Sequence, residues 1–403
     1  MRGFFAQKTV AFLLITGAAS AFTAELQVVD MWKCPIPKPD IKGAGYPEIK
    51  NVVQTPIFRA TMETGGYNHH AKIIKFKNKF YAMWSNHKYA EDGPGQKVYY
   101  STSPDGKKWT PYKVLFESMH KETPWGNSGI NLSANKWIVQ NDKLYARAWC
   151  GATVAWSDKS KTAQSNKHTR KFCFAVRKRY DYLYREVGSD GELGPVATYR
   201  LEAMPKDILV KVENARKVYP ELKVPKNKLQ YYNAMKGIKR RLCEASDYQA
   251  KDGTYVVLFR DDNYSHRKWV SFSKDGIDWS SPQPTNIPDS PSATTNLVLK
   301  NGTVLLIGNH MAPEFDNPDN PRHYKRDPLM VSVSKDGKTF DKSYALRSGQ
   351  QKYTVPRKVV RGRGGGAQYP DAILAGDTVY VIYSLGKEDI WVSSFKLKDI
   401  GVE

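Results

Sequence analysis

A seven-residue pattern that occurs three times constrains the fold of this chain more than any other sequence feature. It reads Ser-x-Asp-Gly-x-x-aromatic and occupies Ser103–Trp109, Ser273–Trp279 and Ser334–Phe340. The Asp side chain can accept hydrogen bonds from the backbone ahead of it, and Gly takes positive φ without a steric penalty, so the pattern predicts a tight turn. Each copy follows a short alternating run typical of a strand. Three copies with the same flanks indicate a repeated β-unit.

The remaining sequence also favours an all-β protein. Tyrosine (24), phenylalanine (15) and tryptophan (10) are abundant, and glycine and proline interrupt the chain throughout, as expected for many short strands and turns. Six further runs are predicted to be strands: 71–76, 80–84, 143–149, 255–259, 304–307 and 378–383. One basic segment, 205–242, has helix-like spacing and is predicted to be a helical insertion that decorates the β-structure.

The N-terminus predicts export. Arg2 and Lys8 precede a short apolar run and the small residues Ala19–Ala21, which is the layout of a cleaved secretory signal. We therefore assign 1–21 to a signal peptide and 22–403 to a single domain. No later stretch approaches the ~20 uncharged residues of a membrane helix, so the sequence predicts a secreted or periplasmic protein without membrane insertion.

The charge of the chain indicates an acidic partner. The formal net charge is +22, and a positive field of this size attracts polyanions. In an exported protein these are acidic or sulfated polysaccharides, acidic surfaces or extracellular nucleic acid, and a merely solubilising surface is the alternative. The four cysteines, Cys34, Cys150, Cys173 and Cys243, permit three pairings. Cys150 with Cys173 closes the shortest loop, and free, buried thiols are the alternative.

Three of the eight histidines lie close together in the sequence. His69 and His70 are separated from His87 by one predicted strand-turn-strand unit, so a hairpin would bring all three together. Histidine is the side chain best suited to proton transfer near neutral pH. A metal-binding pair and purely structural histidines are the alternatives.

The repeated turns resemble the Asp-box of sialidase-like β-propellers. In addition, several motifs together resemble the propeller-type ulvan lyases and their relatives: Tyr67–His70, Trp84–His87, Glu91–Gln96, Leu193–Pro195, Glu244–Tyr248 and Gly366–Pro370. This resemblance implies an all-β propeller of seven four-stranded blades, with structural Asp-box turns and a small helical insertion. It also implies a site at one mouth of the central channel.

The resemblance further implies roles for particular residues. The catalytic residues of the family correspond to His70, His87, Tyr184 and Arg200 of this sequence. Its substrate-binding residues fall on His69, Asn86, Tyr248 and His266. Cleavage of a 4-linked uronate by β-elimination requires loss of the proton next to the carboxylate, and a guanidinium can offset the charge that develops there. Arg200 would do so, and Tyr184, with its pKa lowered by Arg185 and Arg200, would exchange protons with a histidine.

The sequence thus predicts a secreted lyase for an acidic, sulfated, ulvan-like polysaccharide with rhamnose-3-sulfate–uronate linkages, which would leave an unsaturated uronate end. We expect a monomer that binds no nucleic acid and needs no cofactor for the reaction. The resemblance also implies a structural zinc ion; His310, His323 and Cys243 are suitable donor types, but their spacing forms no local motif. The alternatives are a rhamnosidase or sialidase-like glycoside hydrolase, and a non-catalytic carbohydrate-binding propeller.

Overall fold

The computed structural model describes residues 27–120, 129–155, 174–209, 211–223, 229–235, 238–312, 314–315, 326–356 and 365–402. These residues form 21 strands in five sheets. Each of the six runs predicted to be strands lies within one of them. The predicted signal peptide lies outside the described residues.

Each sheet is one blade of the propeller, and the blades are numbered here in chain order. Blade 1 contains β2 (Tyr67–Phe76), β3 (Lys79–His87), β4 (Lys97–Ser103) and β5 (Lys113–Phe116). Blade 2 contains β6 (Gly129–Gln140), β7 (Lys143–Ala155), β8 (Phe174–Val187), β9 (Ala197–Thr198) and β10 (Glu213–Asn214). Blade 3 contains β11 (Leu242–Gln249), β12 (Tyr255–Asp261), β13 (Arg267–Ser273) and β14 (Gln283–Pro288).

The last two blades complete the ring. Blade 4 contains β15 (Thr295–Val298), β16 (Val304–Gly308), β17 (Leu329–Ser334) and β18 (Lys342–Arg347). Blade 5 contains β19 (Ala367–Ala375), β20 (Thr378–Leu385) and β21 (Asp389–Lys396), and its outer strand is β1 (Val53–Phe58) from the other end of the chain. Strand pairing is antiparallel throughout except between β9 and β10.

The prediction of seven blades is wrong, because the strands form five sheets. Blade 2 accounts for part of the difference. Its strands β6, β7 and β8 contain 12, 13 and 14 residues, well above the usual strand length of ~5–6 residues. One blade therefore uses a length of chain that would otherwise supply more strands.

The predicted helical insertion at 205–242 is also wrong. Besides the short strand β10, the helical elements in the described part of this segment are single turns: Lys206–Leu209, Ala215–Val218 and Tyr231–Met235. Pro220 and Pro225 interrupt the helix-like spacing, since proline cannot continue a helix from its interior. Tyr219 and Leu222 are buried against blade 2, so the segment packs as an irregular cover.

The three repeated patterns form the predicted turns. In blade 3, the backbone amides of Ile277 and Asp278 donate to the Asp275 carboxylate at 2.8 and 2.9 Å, and the Gly276 amide donates to Ser273 Oγ at 2.8 Å. The other two copies repeat this arrangement. Each turn follows the third strand of its blade, so all three lie at the end of the propeller where the first strands finish. We call this the Asp-box end and the opposite one the mouth.

Neighbouring blades enclose the apolar core. The innermost strands of blades 5 and 1, β19 and β2, lie side by side, as do β2 and β6. Phe58 of β1 packs on Trp84 of β3 with ring centroids 5.4 Å apart, which joins blade 5 to blade 1. No helix in the described part of the chain has the length and apolar character needed to cross a membrane.

Candidate functional site

Three innermost strands carry the same irregularity at the mouth of the propeller. The register shifts next to His70 in β2, Glu244 in β11 and Tyr369 in β19. These three residues have φ of 56°, 47° and 54°, a conformation that is uncommon outside glycine. β-Bulges and such backbone strain concentrate at functional sites, where they redirect a side chain. Here they redirect residues of three blades towards one cavity.

The centre of the site is a phenol, a carboxylate and a guanidinium in direct contact. The Tyr369 hydroxyl donates a hydrogen bond to Glu244 Oε1. Arg260 donates to the Tyr369 hydroxyl at 2.8 Å and to Glu244 Oε2 at 2.9 Å. The second terminal nitrogen of Arg260 binds Asp262 at 2.8 Å, which fixes the plane of the guanidinium. The phenol can therefore lose its proton to Glu244 while a fixed cation lies beside its oxygen.

These contacts set the protonation states of the group. Burial raises the pKa of Tyr369 well above its ordinary value, and the Glu244 charge raises it further. Burial alone would also raise the pKa of Glu244. The Arg260 charge and the hydrogen bond from the Tyr369 hydroxyl outweigh this effect and hold the pKa of Glu244 below its ordinary value. At neutral pH the phenol is thus protonated and its partner is an ionised carboxylate.

Two further cations border Tyr369. The Arg326 guanidinium lies 5.3 Å from the centre of the Tyr369 ring and donates to Pro291 O at 2.7 Å. Lys387 Nζ lies 5.9 Å from the same ring and 2.5 Å from Glu91 Oε2. Burial lowers the pKa of Lys387, and Glu91 opposes this effect. Arg326 and Lys387 thus lie close to the Tyr369 ring, and each is held by an acceptor of the protein.

The loop between β3 and β4, which carries Glu91, also supplies Asp92 to the site. Asp92 accepts a hydrogen bond from Asn131 Nδ2 at 3.2 Å. Burial, followed by the charge of Glu91, raises the pKa of Asp92 to about 7. Burial also lowers the pKa of His70 to about 4 and that of His69 well below its ordinary value, so both imidazoles are neutral.

His70, Glu91, Asp92, Glu244 and Tyr369 line a cavity of about 750 Å³. The long strands of blade 2 extend past the mouth and supply Trp149, Arg179 and Tyr182 to its wall. A cavity of this size, lined by aromatic and charged groups, can hold a small-molecule ligand. A second cavity of about 470 Å³ lies at the Asp-box end. Lysines such as Lys251 and Lys342 line it, but no histidine, tyrosine or arginine does.

The structure places two of the predicted site residues in the cavity region. The rings of His69 and His70 lie 4.2 and 5.7 Å from the Tyr369 ring. His87 and Asn86 support the neighbouring loops: His87 Nδ1 accepts from the amides of Tyr89 and Ala90 at 3.1 and 2.9 Å. Asn86 Nδ2 donates to Thr64 O at 3.0 Å.

The other four predicted residues lie away from the Tyr369 group. Tyr184 is buried against Tyr199 beside blade 2, and burial raises its pKa to about 12, contrary to the expected lowering. The Arg200 side chain is 62% exposed and lies 3.6 Å from Glu202. The structure therefore does not bring Tyr184 and Arg200 to the histidines.

Tyr248 and His266 occupy interior positions of blade 3. The Tyr248 hydroxyl donates to Gly337 O of an Asp-box turn at 2.9 Å, at the end opposite the mouth. His266 is buried and has φ of 59°, and its carbonyl accepts from the Asp289 amide at 2.8 Å. Neither residue lines the cavity at the mouth.

The sequence interpretation missed Tyr369, Glu244, Arg260, Arg326 and Asp92. Glu244 and Tyr369 lie within motifs that carried the family resemblance, but they had no assigned role. A signal was present in the sequence, because His70, Glu244 and Tyr369 each stand at the start of the first strand of a blade. Aligning the three strand starts would have placed them at one mouth.

The proposed zinc donors do not come together. His310 Nδ1 contacts Ser332 Oγ at 2.9 Å inside blade 4, whereas Cys243 belongs to blade 3. His323 lies outside the described residues. Among the described residues, the one cluster of at least three donors is His69, His70 and Glu91. Cys34, Cys150 and Cys243 are not paired with one another, and Cys173 lies outside the described residues.

Comparisons with known proteins agree with this architecture. Residues 210–382 match the model of the BNR repeat-like domain. A sialidase structure superposes with a TM-score of 0.62 at 18% identity, covering 92% of this chain but only 35% of that chain. This chain therefore spans about a third of the length of that sialidase.

More distant structural similarities are weaker. NanB sialidase from Streptococcus pneumoniae gives a TM-score of 0.47 at 9% identity, covering 86% of this chain and 71% of that one. Trypanosoma rangeli sialidase gives a TM-score of 0.45 at 10% identity, covering 88% of this chain and 59% of that one. No curated protein matches the sequence. The repeated turns, the bladed architecture and the first of these structural matches show that the chain has a β-propeller fold similar to that of the sialidase structure.

Proposed function

We propose that this protein is a glycoside hydrolase that removes or cleaves an acidic sugar at the mouth of the propeller. The observation that carries the proposal is the contact of the Tyr369 hydroxyl with both Glu244 and Arg260. Sialidases depart from the usual pair of carboxylates and use a tyrosine nucleophile. A tyrosine hydrogen-bonded to an ionised base, with a third group that orients the base, is the arrangement such a nucleophile requires.

Each residue has a distinct part in the reaction. Glu244 takes the phenolic proton as Tyr369 Oη attacks the anomeric carbon, and Arg260 stabilises the developing phenolate. Asp92 donates a proton to the departing glycosidic oxygen. The covalent glycosyl–tyrosine bond is then broken by water, whose proton returns to Asp92, and Glu244 reprotonates Tyr369. Lys72 and Arg179, which line the cavity, pair with the carboxylate of the sugar.

A second candidate is β-elimination of a uronate at the same centre, as in the ulvan lyases. The observation in its favour is the placement of neutral His69 and His70 beside the Tyr369 ring. An imidazole and a phenol can remove and deliver the two protons of an elimination, while a guanidinium neutralises the carboxylate. The substrate would then be the acidic, sulfated polysaccharide expected from the sequence.

One assay separates the two reactions. Purified protein is incubated with ulvan and with fluorogenic glycosides of sialic acid and glucuronic acid, and both released sugar and ultraviolet absorbance are recorded. Released sugar without a new chromophore supports hydrolysis. A new conjugated double bond would refute hydrolysis and support elimination, and retention of glycan without any product would contradict both.

The assignment of Tyr369 is tested by matched tyrosine variants. Tyr369→Phe keeps the ring and its packing but removes the nucleophile, so kcat should fall ~1000-fold or more. Tyr255→Phe, at the Asp-box end of blade 3, is the control and should retain wild-type kcat. If Tyr184→Phe lost the activity and Tyr369→Phe kept it, the reaction would take place on blade 2 and the proposal would be wrong.

A further inference from the structure

Two adjacent histidines of β2 lie on the same side of the strand. Successive side chains of a strand normally point to opposite faces. Here the register shift after His69 and the φ of 56° at His70 override this alternation, and the two imidazole centroids are 4.6 Å apart. A positive φ at a non-glycine residue carries a cost in free energy, so the rest of the structure holds this pair in place.

Hydrogen bonds orient the His69 imidazole as they would for a metal ligand. Ser384 Oγ donates its proton to Gln368 O at 3.3 Å and lies 2.6 Å from His69 Nδ1. It therefore accepts from Nδ1–H, which leaves a lone pair on Nε2. That nitrogen is fully buried and has no hydrogen-bond partner. A buried acceptor without a partner is rare and requires an explanation.

His70 and Glu91 complete a set of three donors. His70 Nδ1 lies 3.3 Å from Ser85 Oγ, which again leaves the other ring nitrogen for a ligand. Glu91 binds Lys387 through Oε2 and offers one carboxylate oxygen to the cluster. One donor atom from each of His69, His70 and Glu91 lies within 4.8 Å of the other two. Donors of a tetrahedral zinc ion lie ~3.4 Å apart, a distance that small side-chain rotations can reach.

We propose that His69, His70 and Glu91 bind one divalent cation of the zinc class. Two imidazoles and a carboxylate are a donor set typical of zinc sites that keep one position open. The serines that contact Nδ1 of each histidine supply the second shell that such sites require. His70 and Glu91 both line the large cavity, so the open position faces it. Any part of the ion in catalysis rests on the proposed function, whereas its binding does not.

The binding of the ion is measured without substrate. The full-length protein is treated with a chelator, dialysed and titrated with Zn²⁺ by calorimetry, and Co²⁺ is added separately to record its ligand-field spectrum. We expect one equivalent to bind, a tetrahedral cobalt spectrum, and a rise in thermal midpoint with added Zn²⁺, because a ligand that binds the folded state stabilises it. Absence of stoichiometric binding would overturn the proposal.

Variants locate the ion. His70→Gln and Glu91→Gln each remove a direct ligand and should weaken Zn²⁺ binding by more than the ~10–100-fold loss typical of second-shell changes. His120→Gln, outside the three donors, is the matched control and should bind as wild type. Unchanged affinity in both ligand variants would show that the ion binds elsewhere and refute the assignment.

A second-shell variant covers the case in which a ligand variant does not fold. Ser384→Ala removes only the oxygen that orients His69 and should lower Zn²⁺ affinity ~10–100-fold, with a near-ultraviolet circular dichroism spectrum like that of wild type. Wild-type affinity in this variant would contradict the role of His69. The titrations contain no sugar, so their failure is distinguishable from a failure of the hydrolase proposal, which Tyr369→Phe tests alone.

Discussion

Tyr369 and Glu244 are 125 residues apart in the sequence, yet their side chains share a hydrogen bond. Their pairing depends on how blade 5 meets blade 3 across the channel, and no local pattern encodes that geometry. His69 and His70 are neighbours in the sequence, but the register shift after His69 and the positive φ of His70 turn both imidazoles to one side, and neither feature is visible in the sequence. Tyr184 and Arg200 could not be tested by spacing alone, since their positions depend on which face of blade 2 each side chain occupies.

Arg260 should control the pH at which the site becomes active. It is the main reason that the pKa of Glu244 stays below its ordinary value, against the effect of burial. The ionised carboxylate is the active form, so activity is present above this pKa and lost as pH falls through it. In Arg260→Gln the pKa of Glu244 should rise, and the acidic limb of kcat/KM should move to higher pH.

The measurement is a pH profile of kcat/KM for wild type and Arg260→Gln. Loss of the guanidinium should also lower kcat/KM by ~100-fold or more at the optimum, as for removal of one preorganised donor. Arg241→Gln removes a 78% exposed guanidinium on the same blade and should leave the acidic limb unchanged. An acidic limb that does not move in Arg260→Gln would show that Glu244 is not the titrating base.

At the scale of the element, the Asp-box turn of blade 4 is in contact with blade 3. Gly337 has φ of +80°, and a Cβ at this position would lie 2.9 Å from the Cα of Ala250, just after β11. Tyr248 of the same strand donates its hydroxyl to the carbonyl of Gly337. The turn of blade 4 is therefore packed directly on the backbone of blade 3, and its glycine is required by both conformation and space.

Two glycine variants separate the cost of a left-handed backbone from the cost of a steric clash at Cβ. Gly376, in the turn between β19 and β20, has φ of +66°, but a Cβ there would meet nothing within 4 Å. Gly376→Ala should cost ~1–2 kcal/mol of unfolding free energy for the left-handed backbone alone. Gly337→Ala should cost a further ~1–3 kcal/mol for overpacking against Ala250. Denaturant unfolding measures both, and equal losses would show that the turn is not packed tightly on blade 3.

The sequence predicted the Asp-box turns correctly but the number of blades wrongly, and the two outcomes have one physical reason. The Ser and Asp side chains of each turn accept hydrogen bonds from backbone amides within three residues, including the amide of the Gly. The seven-residue pattern is therefore enough to specify the turn. The number of blades depends on how many sheets close a ring and on how much chain each sheet uses. The helix predicted from the spacing of 205–242 was wrong for a similar reason, because Tyr219 and Leu222 pack on blade 2 and not along a helix face.

At the scale of the whole molecule, the ring is closed by β1. This strand pairs with β21 from Val53 to Phe58, so a segment near one end of the described chain completes the blade formed by the other. The pairing satisfies the backbone groups on the outer side of β21, and β1 becomes the outer edge of blade 5. Phe58 extends the closure to blade 1, where its ring lies 5.4 Å from Trp84 and 5.3 Å from Tyr112.

Removing the Phe58 ring should therefore weaken the whole propeller and not just one blade. Phe58 is only 6% exposed, and truncation of a buried phenylalanine costs ~3–5 kcal/mol of unfolding free energy. Val53→Ala, on the same strand at a position 43% exposed, should cost less than ~1 kcal/mol and serves as the control. Because Phe58 bridges blades 5 and 1, Phe58→Ala should lower the midpoint of unfolding. Tryptophan fluorescence and far-ultraviolet circular dichroism should both report the same single transition. Two separate transitions, or a midpoint equal to that of Val53→Ala, would mean that the blades are stable without this closure and that the geometry of the mouth does not depend on it.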